Sequence, residues 1–158
     1  MKMYDSLLQY CFRLLGRKSY SEHQLRGKLK LRAKRIKLEE PEMITIIDQI
    51  VARLKELNYI NDRQVIINYL QFHLPMHPVG KWGFIHDMQK RGIPKDQALE
   101  EWDKADINER ELIKEFLKSK ERLFRSLTGM KQKQKVQRLL ASRGFASDAI
   151  WSALDKIR

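Results

Sequence analysis

Two stretches of this chain, KRGIPKDQALEEWDKA (residues 90–105) and SRGFASDAIWSALDKI (residues 142–157), repeat one phrase 52 residues apart. Each reads Arg-Gly, one large apolar residue, then a short amphipathic segment. After the phrase, Ala98, Trp102 and Ala105 fall opposite Ile150, Leu154 and Ile157, and the i, i+4, i+7 spacing puts each set on one helical face. Before it, Phe84 and Met88 fall opposite Val136 and Leu140, one turn apart in both copies. Gly92 and Gly144 stand where a helix C-cap needs a positive φ, and Pro94 stands where a first-turn proline belongs. The repeated phrase therefore predicts a repeated helix–turn–helix.

A third copy lies near the start, with Leu25, Leu29 and Arg32 in the places of Phe84, Met88 and Arg91, and Ala33 in place of the glycine. Behind Pro41, the residues Ile44, Ile47, Val51 and Leu54 form an apolar stripe. Each helix pair is preceded by another helical segment: DSLLQYCFRLLG, with Leu8, Phe12 and Leu15 on one face; NDRQVIINYLQFHL; and NERELIKEFLKSKERLF. Ser21 with Gln24, and Asn61 with Gln64, read as capping boxes. Pro75, Pro78, Gly80 and Gly129 punctuate the connections. No strand alternation interrupts this pattern. The expectation is an all-α protein, an elongated, curved array of three tandem three-helix repeats at residues 1–58, 59–106 and 107–158. An extended array suits an extended ligand.

The net charge of +12 points that ligand toward the anionic side: nucleic acid, a nucleoprotein or a membrane surface. Ten basic residues and Glu22 alone fall between Arg13 and Lys37, a net of +9; five basic residues and no acid fall between Lys131 and Arg143. A helix with Lys and Arg on its solvent side can track phosphates. The candidate contacts are Arg13, Arg17, Lys18, Arg26, Lys28, Lys30, Arg32, Lys34 and Arg35 in the first block and Lys90 and Arg91 in the phrase. The second block adds Lys131, Lys133, Lys135, Arg138 and Arg143. Arg26, Lys30 and Lys34 lie four apart on one polar flank, away from Leu25 and Leu29.

Catalytic chemistry finds no support in the sequence. Cys11 falls in an apolar helical stripe, with no partner base beside it. His73 and His77 are four apart, but Pro75 between them argues against a shared helical face and so against a metal pair. There is no phosphate loop, no zinc-protease motif and no paired carboxylates in a cleft. Trp82, Trp102 and Trp151 read as core or inter-helix contacts, with Trp82 the one most open to a surface role. No cofactor is expected. One cysteine, no leader-like N-terminus and no run of about 18 apolar residues predict a cytoplasmic protein without a membrane partner.

RLLGRKSYSEHQLRGKLKLR (residues 13–32) resembles the opening of the RecX family of bacterial recombinase regulators. LKELNYINDRQV is similar to that family's junction between its first and second units, and PVGKWGFIHDMQKRGI and KVQRLLASRGFASDAI to its second and third units. The chain departs from the family pattern at INYLQFHLPMHP, where a small apolar pair and an Arg are usual, and at Ala33. The resemblance implies a monomer that binds the RecA filament on single-stranded DNA, lies along its groove, and restrains strand exchange and ATP hydrolysis. The residues alone leave open a nucleic-acid binder acting by itself. Against that alternative, the first basic block contains only Tyr20 as a stacking aromatic, and three unlike copies supply no two-fold axis.

Overall fold

The computed structural model describes residues 1–157, so the final residue of the stretch assigned to the third repeat, 107–158, lies outside the described residues. Among the described residues every regular element is helical: eleven α-helices and one π-helical turn. The chain divides into two compact units, one of residues 1–66 with 90–93, the other of residues 67–89 with 94 onward.

In the first unit, α1 (Lys2–Leu15), α2 (Glu22–Arg35) and α3 (Glu42–Glu56) enclose one apolar core. Leu25, Leu29 and Ala33 form the inner stripe of α2, and each is fully buried. Burying a leucine this completely contributes about 1.5–3 kcal/mol. The inner face of α1 is centred on Leu7 and Cys11, one residue earlier than the stripe expected through Leu8, Phe12 and Leu15. Phe12 instead sits at the rim, edge-on to Tyr59 at 5.2 Å. On α3, Ile47, Val51 and Leu54 are buried as expected, Ile44 is exposed, and Met43 and Ile50 complete the face.

The turn after α2 corrects the alignment of the first copy. Ala33 is not in the glycine's place; it is inside the helix, and the residue with positive φ is Lys37 (59°). Lys37 N–H donates to the Lys34 carbonyl and Leu38 N–H to that of Ala33, the Schellman pattern. Gly144 and Phe145 make the same pair of bonds, to Ala141 and Leu140. Leu29, Ala33, Lys37 and Leu38 thus match Val136, Leu140, Gly144 and Phe145. The first copy is displaced by one helical turn, a shift that leaves the apolar face in register and so is invisible to periodicity. A lysine in the left-handed region costs about 1–2 kcal/mol that glycine avoids.

Helix α4 (Asp62–Asn68) begins in the first unit and ends in the second, where it runs through a π-helical turn, Tyr69–His73, into α5 (Leu74–Met76). Pro75 lacks an N–H and its ring presses on the preceding turn, so the backbone widens: Leu74 N–H donates to the Tyr69 carbonyl, five residues back. The helix continues past the proline rather than breaking. His73 and His77 therefore do share a face, with ring centroids 4.8 Å apart, and Tyr69 stacks on His73 at 4.5 Å.

Helices α6 (Lys81–Lys90), α7 (Lys95–Lys104), α8 (Glu109–Ser119), α9 (Glu121–Phe124), α10 (Gly129–Ser142) and α11 (Ser147–Leu154) follow. Pro94 is the N-cap of α7, one residue ahead of the first turn where it was expected. The segment NERELIKEFLKSKERLF, expected as one helix, is split at Lys120 between α8 and α9. Trp102 is buried against Phe84, with centroids 5.1 Å apart. Trp151 is exposed, contrary to its reading as a packing residue, and so is Trp82, which lies in the first turn of α6.

The repeated phrase serves as a joint. Gly92 has φ 73°, and a Cβ there would run into the His23 imidazole near the start of α2. The Arg91 carbonyl accepts a hydrogen bond from the buried Ser21 hydroxyl, the cap of α2. Gly144, with φ 74°, abuts Gly83 near the start of α6; the Arg143 carbonyl accepts from Gly80 N–H at 2.9 Å and the Gly144 carbonyl from Trp82 N–H at 3.1 Å. In both cases an Arg-Gly turn closes on the N-terminal end of an earlier helix. Only a glycine allows both the sign of φ and the approach.

Candidate nucleic-acid interface

The capping box at Ser21 starts α2: Ser21 Oγ accepts from Gln24 N–H at 3.1 Å, and the Gln24 side-chain oxygen accepts from Ser21 N–H at the same distance. With Leu25, Leu29 and Ala33 facing inward, the cations of α2 fall on two flanks.

Arg26 lies on the flank toward α3. It binds Glu22 at 2.9 Å and Asp48 at 2.6 Å, and Lys55 closes on Glu22 as well. The hydrogen bond from Lys55, joined by that from Arg26, holds the Glu22 carboxyl below its ordinary 4.5 despite its partial burial. Arg26 is thus already paired with two carboxylates. Lys30 and Lys34, one and two turns further along, are exposed.

On the flank toward α1, Arg32 lies with its guanidinium 5.7 Å from the Tyr10 ring. Tyr10, Arg13, Leu14, Arg17 and Arg32 line one open cleft of about 230 Å³. Lys18 and Lys28 approach the Tyr20 ring, at 4.8 Å and 5.9 Å. Tyr20 is itself buried and so offers no stacking face. Lys34 and Arg35 are exposed at the end of the helix. Sequence reasoning named these arginines but missed Tyr10 and Leu14. The signal was present: Tyr10, Arg13, Leu14 and Arg17 follow i, i+3, i+4, i+7.

The other candidates are dispersed. Lys90 is exposed and Arg91 half-buried beside the first unit's joint. Arg143 is held inside the second unit, donating to the Pro78 carbonyl at 3.3 Å with its guanidinium 4.9 Å from the Phe116 ring. Lys135 donates to the Leu123 carbonyl at 3.2 Å. Lys131 and Arg138 are exposed and Lys133 half-exposed on α10. Cys11 is fully buried, and burial pushes its thiol up to about 12, which makes it unreactive.

A model of the third three-helix domain of RecX matches residues 108–154. The regulatory protein RecX of Deinococcus radiodurans is 27% identical over 157 residues, covering 97% of this chain and 69% of the relative. That of Haemophilus influenzae is 29% identical over 141 residues, covering 88% and 86%. The chain is thus similar to regulatory proteins named RecX over most of its length. The crystal structure of RecX from Lactobacillus salivarius superposes with a TM-score of 0.72 at 18% identity, covering 99% of both chains. A second RecX crystal structure gives 0.77 at 18% identity, covering 98% of this chain and 74% of the other. The RecX fold is a set of three-helix repeats, and this chain has it. The RecX of Bacillus subtilis is longer, and the match of 115 residues at 25% identity spans 43% of its length. Among the described residues no helix is long and apolar enough to cross a membrane.

Proposed function

We propose that this protein regulates the RecA recombinase by binding the RecA–single-stranded DNA filament along its groove, where it restrains strand exchange and ATP hydrolysis. It acts as a cytoplasmic monomer, needs no cofactor and catalyses no reaction of its own. Its three repeats are assigned to residues 1–58, 59–106 and 107–158. Support comes from relatives named regulatory protein RecX. The observation that carries the reading is the α1–α2 cleft, where Arg13, Arg17 and Arg32 stand together with no carboxylate among the lining residues. Such a surface is suited to a polyanion whose binding weakens as salt rises.

The test compares binding to RecA-coated single-stranded DNA with binding to the same DNA bare, and follows ATP hydrolysis by RecA. Preferential binding to coated DNA with slowed hydrolysis is the expected outcome. Equal affinity for bare DNA and undisturbed hydrolysis would instead establish a nucleic-acid binder acting alone.

A further inference from the structure

The α1–α2 cleft contains more specific chemistry than a basic surface requires. Three of its five lining side chains are guanidiniums and none is an acid. Among the described residues Arg13, Arg17 and Arg32 make no ion pair, whereas Arg26, on the same helix as Arg32, makes two. Like charges around one small concavity repel each other, and an anion placed among them relieves the repulsion. The contact between Arg32 and Tyr10 fixes one of the three without neutralising it.

The shape of the donor set selects the anion. A carboxylate is planar and is satisfied by a single guanidinium fork. A tetrahedral phosphate ester presents oxygens in several directions and can engage three forks arriving from separate backbone positions: the last turn of α1, the loop after it, and the second half of α2. The remaining walls, Tyr10 and Leu14, are apolar enough to pack against a sugar. We infer that this cleft is a phosphate-ester site, in which Arg13, Arg17 and Arg32 clamp one phosphate and Tyr10 and Leu14 contact its ribose or deoxyribose. The inference rests on the proposed reading in taking the partner to contain nucleic acid; the phosphate is a backbone diester of the strand or a free nucleotide.

The experiment uses the full chain and a fluorescein-labelled oligothymidylate, followed by anisotropy across a salt titration. Arg17→Gln, which changes an exposed loop residue, tests the site without touching the core. It should weaken binding about tenfold and lower the salt slope by about 0.7, one phosphate contact on a single strand. Arg13→Gln with Arg17→Gln and Arg32→Gln should weaken binding further while lowering the slope by about 0.7 in all, because the three arginines share one phosphate, and circular dichroism reports whether that triple variant is folded. Lys30→Gln with Lys34→Gln, on the opposite flank, should weaken binding by no more than about threefold. Competition assigns the source: deoxythymidine triphosphate displacing the oligonucleotide at equal phosphate concentration marks a nucleotide site, and failure to displace marks a backbone site. Polyglutamate displacing it as well as nucleic acid does would overturn the inference in favour of an acidic protein surface. Equal losses from Arg17→Gln and from the Lys30, Lys34 pair would overturn it too. If the parent ignores RecA-coated DNA while Arg17→Gln still weakens oligonucleotide binding, the regulator reading falls and the cleft stands. If coated DNA is bound and Arg17→Gln changes nothing, the cleft falls alone.

Discussion

Arg26 and Arg32 sit six residues apart on one helix, in the same run of charge, and have opposite surroundings. Arg26 faces α3, where Glu22 and Asp48 hold it at 2.9 Å and 2.6 Å. Arg32 faces α1, beside Tyr10, Arg13 and Arg17, and finds no carboxylate in its cleft. The difference teaches that a net charge counted along sequence measures supply and not availability. Half-exposed pairs such as that of Arg26 with Asp48 contribute under about 1 kcal/mol to stability. They nonetheless withdraw the cation from any ligand, which must first replace the carboxylate.

The largest expected effect comes from reversing charge on each flank in turn. Arg17→Glu with Arg32→Glu should weaken binding to RecA-coated single-stranded DNA by about a hundredfold, since a hydrogen bond to a charged group contributes about 1.5–3 kcal/mol. Lys30→Glu with Lys34→Glu should cost about threefold under the same conditions. Comparable losses in the two variants, measured by anisotropy at one salt concentration, would break the comparison.

A smaller effect tests the paired cation, Arg26, through its stability. Glu22→Gln removes the carboxylate that both Lys55 and Arg26 bind, and should lower the unfolding free energy by about 1 kcal/mol at neutral pH. Because the folded protein holds the Glu22 carboxyl below its ordinary value of 4.5, its stabilisation is complete above that pH. It is lost as pH falls through the lower, folded value. Urea titrations should therefore show the parent losing stability below pH 4.5 more steeply than Glu22→Gln does. Parallel curves would mean that the pair is unimportant.

The smallest effect sharpens the comparison from the other side. Asp48→Asn leaves Arg26 charged and frees it from one partner. It should cost about 0.5 kcal/mol in stability and raise oligonucleotide affinity about twofold. An unchanged affinity would show that Glu22 alone keeps Arg26 occupied.

Much of this architecture was legible because it is local. The positive φ at Gly92 and Gly144, the Ser21 cap and the inward Leu25 and Leu29 follow from residues within a turn or two of one another. What escaped was either degenerate or distant. A one-turn displacement kept the apolar face of α2 intact, so Ala33 stood in for Lys37. Pro75 signalled a break, but the chain absorbed it as a π-helical turn, because one widened turn costs less than ending a packed helix. The two flanks of α2 could not be told apart because Asp48 lies 22 residues from Arg26 and Tyr10 as many from Arg32, separations with no periodic trace. The candidate site was thus legible as a list of cations and not as a place.

The Arg-Gly joints carry a consequence for the order of events in folding. Ser21 and Arg91 are 70 residues apart in the chain, and Gly80 and Arg143 are 63. Closing loops of that length costs about 4 kcal/mol of chain entropy before a hydrogen bond is gained. Helices and their immediate neighbours need no such closure, and short-range contacts form faster. The arginine cleft requires only residues 10 to 32, so it assembles ahead of both joints. Pulsed hydrogen exchange should find the amides of α1 and α2 protected while Gly80 and Trp82 still exchange; simultaneous protection would mean that the joints nucleate the fold. In this order the proposed phosphate clamp is assembled before the chain reaches its final form.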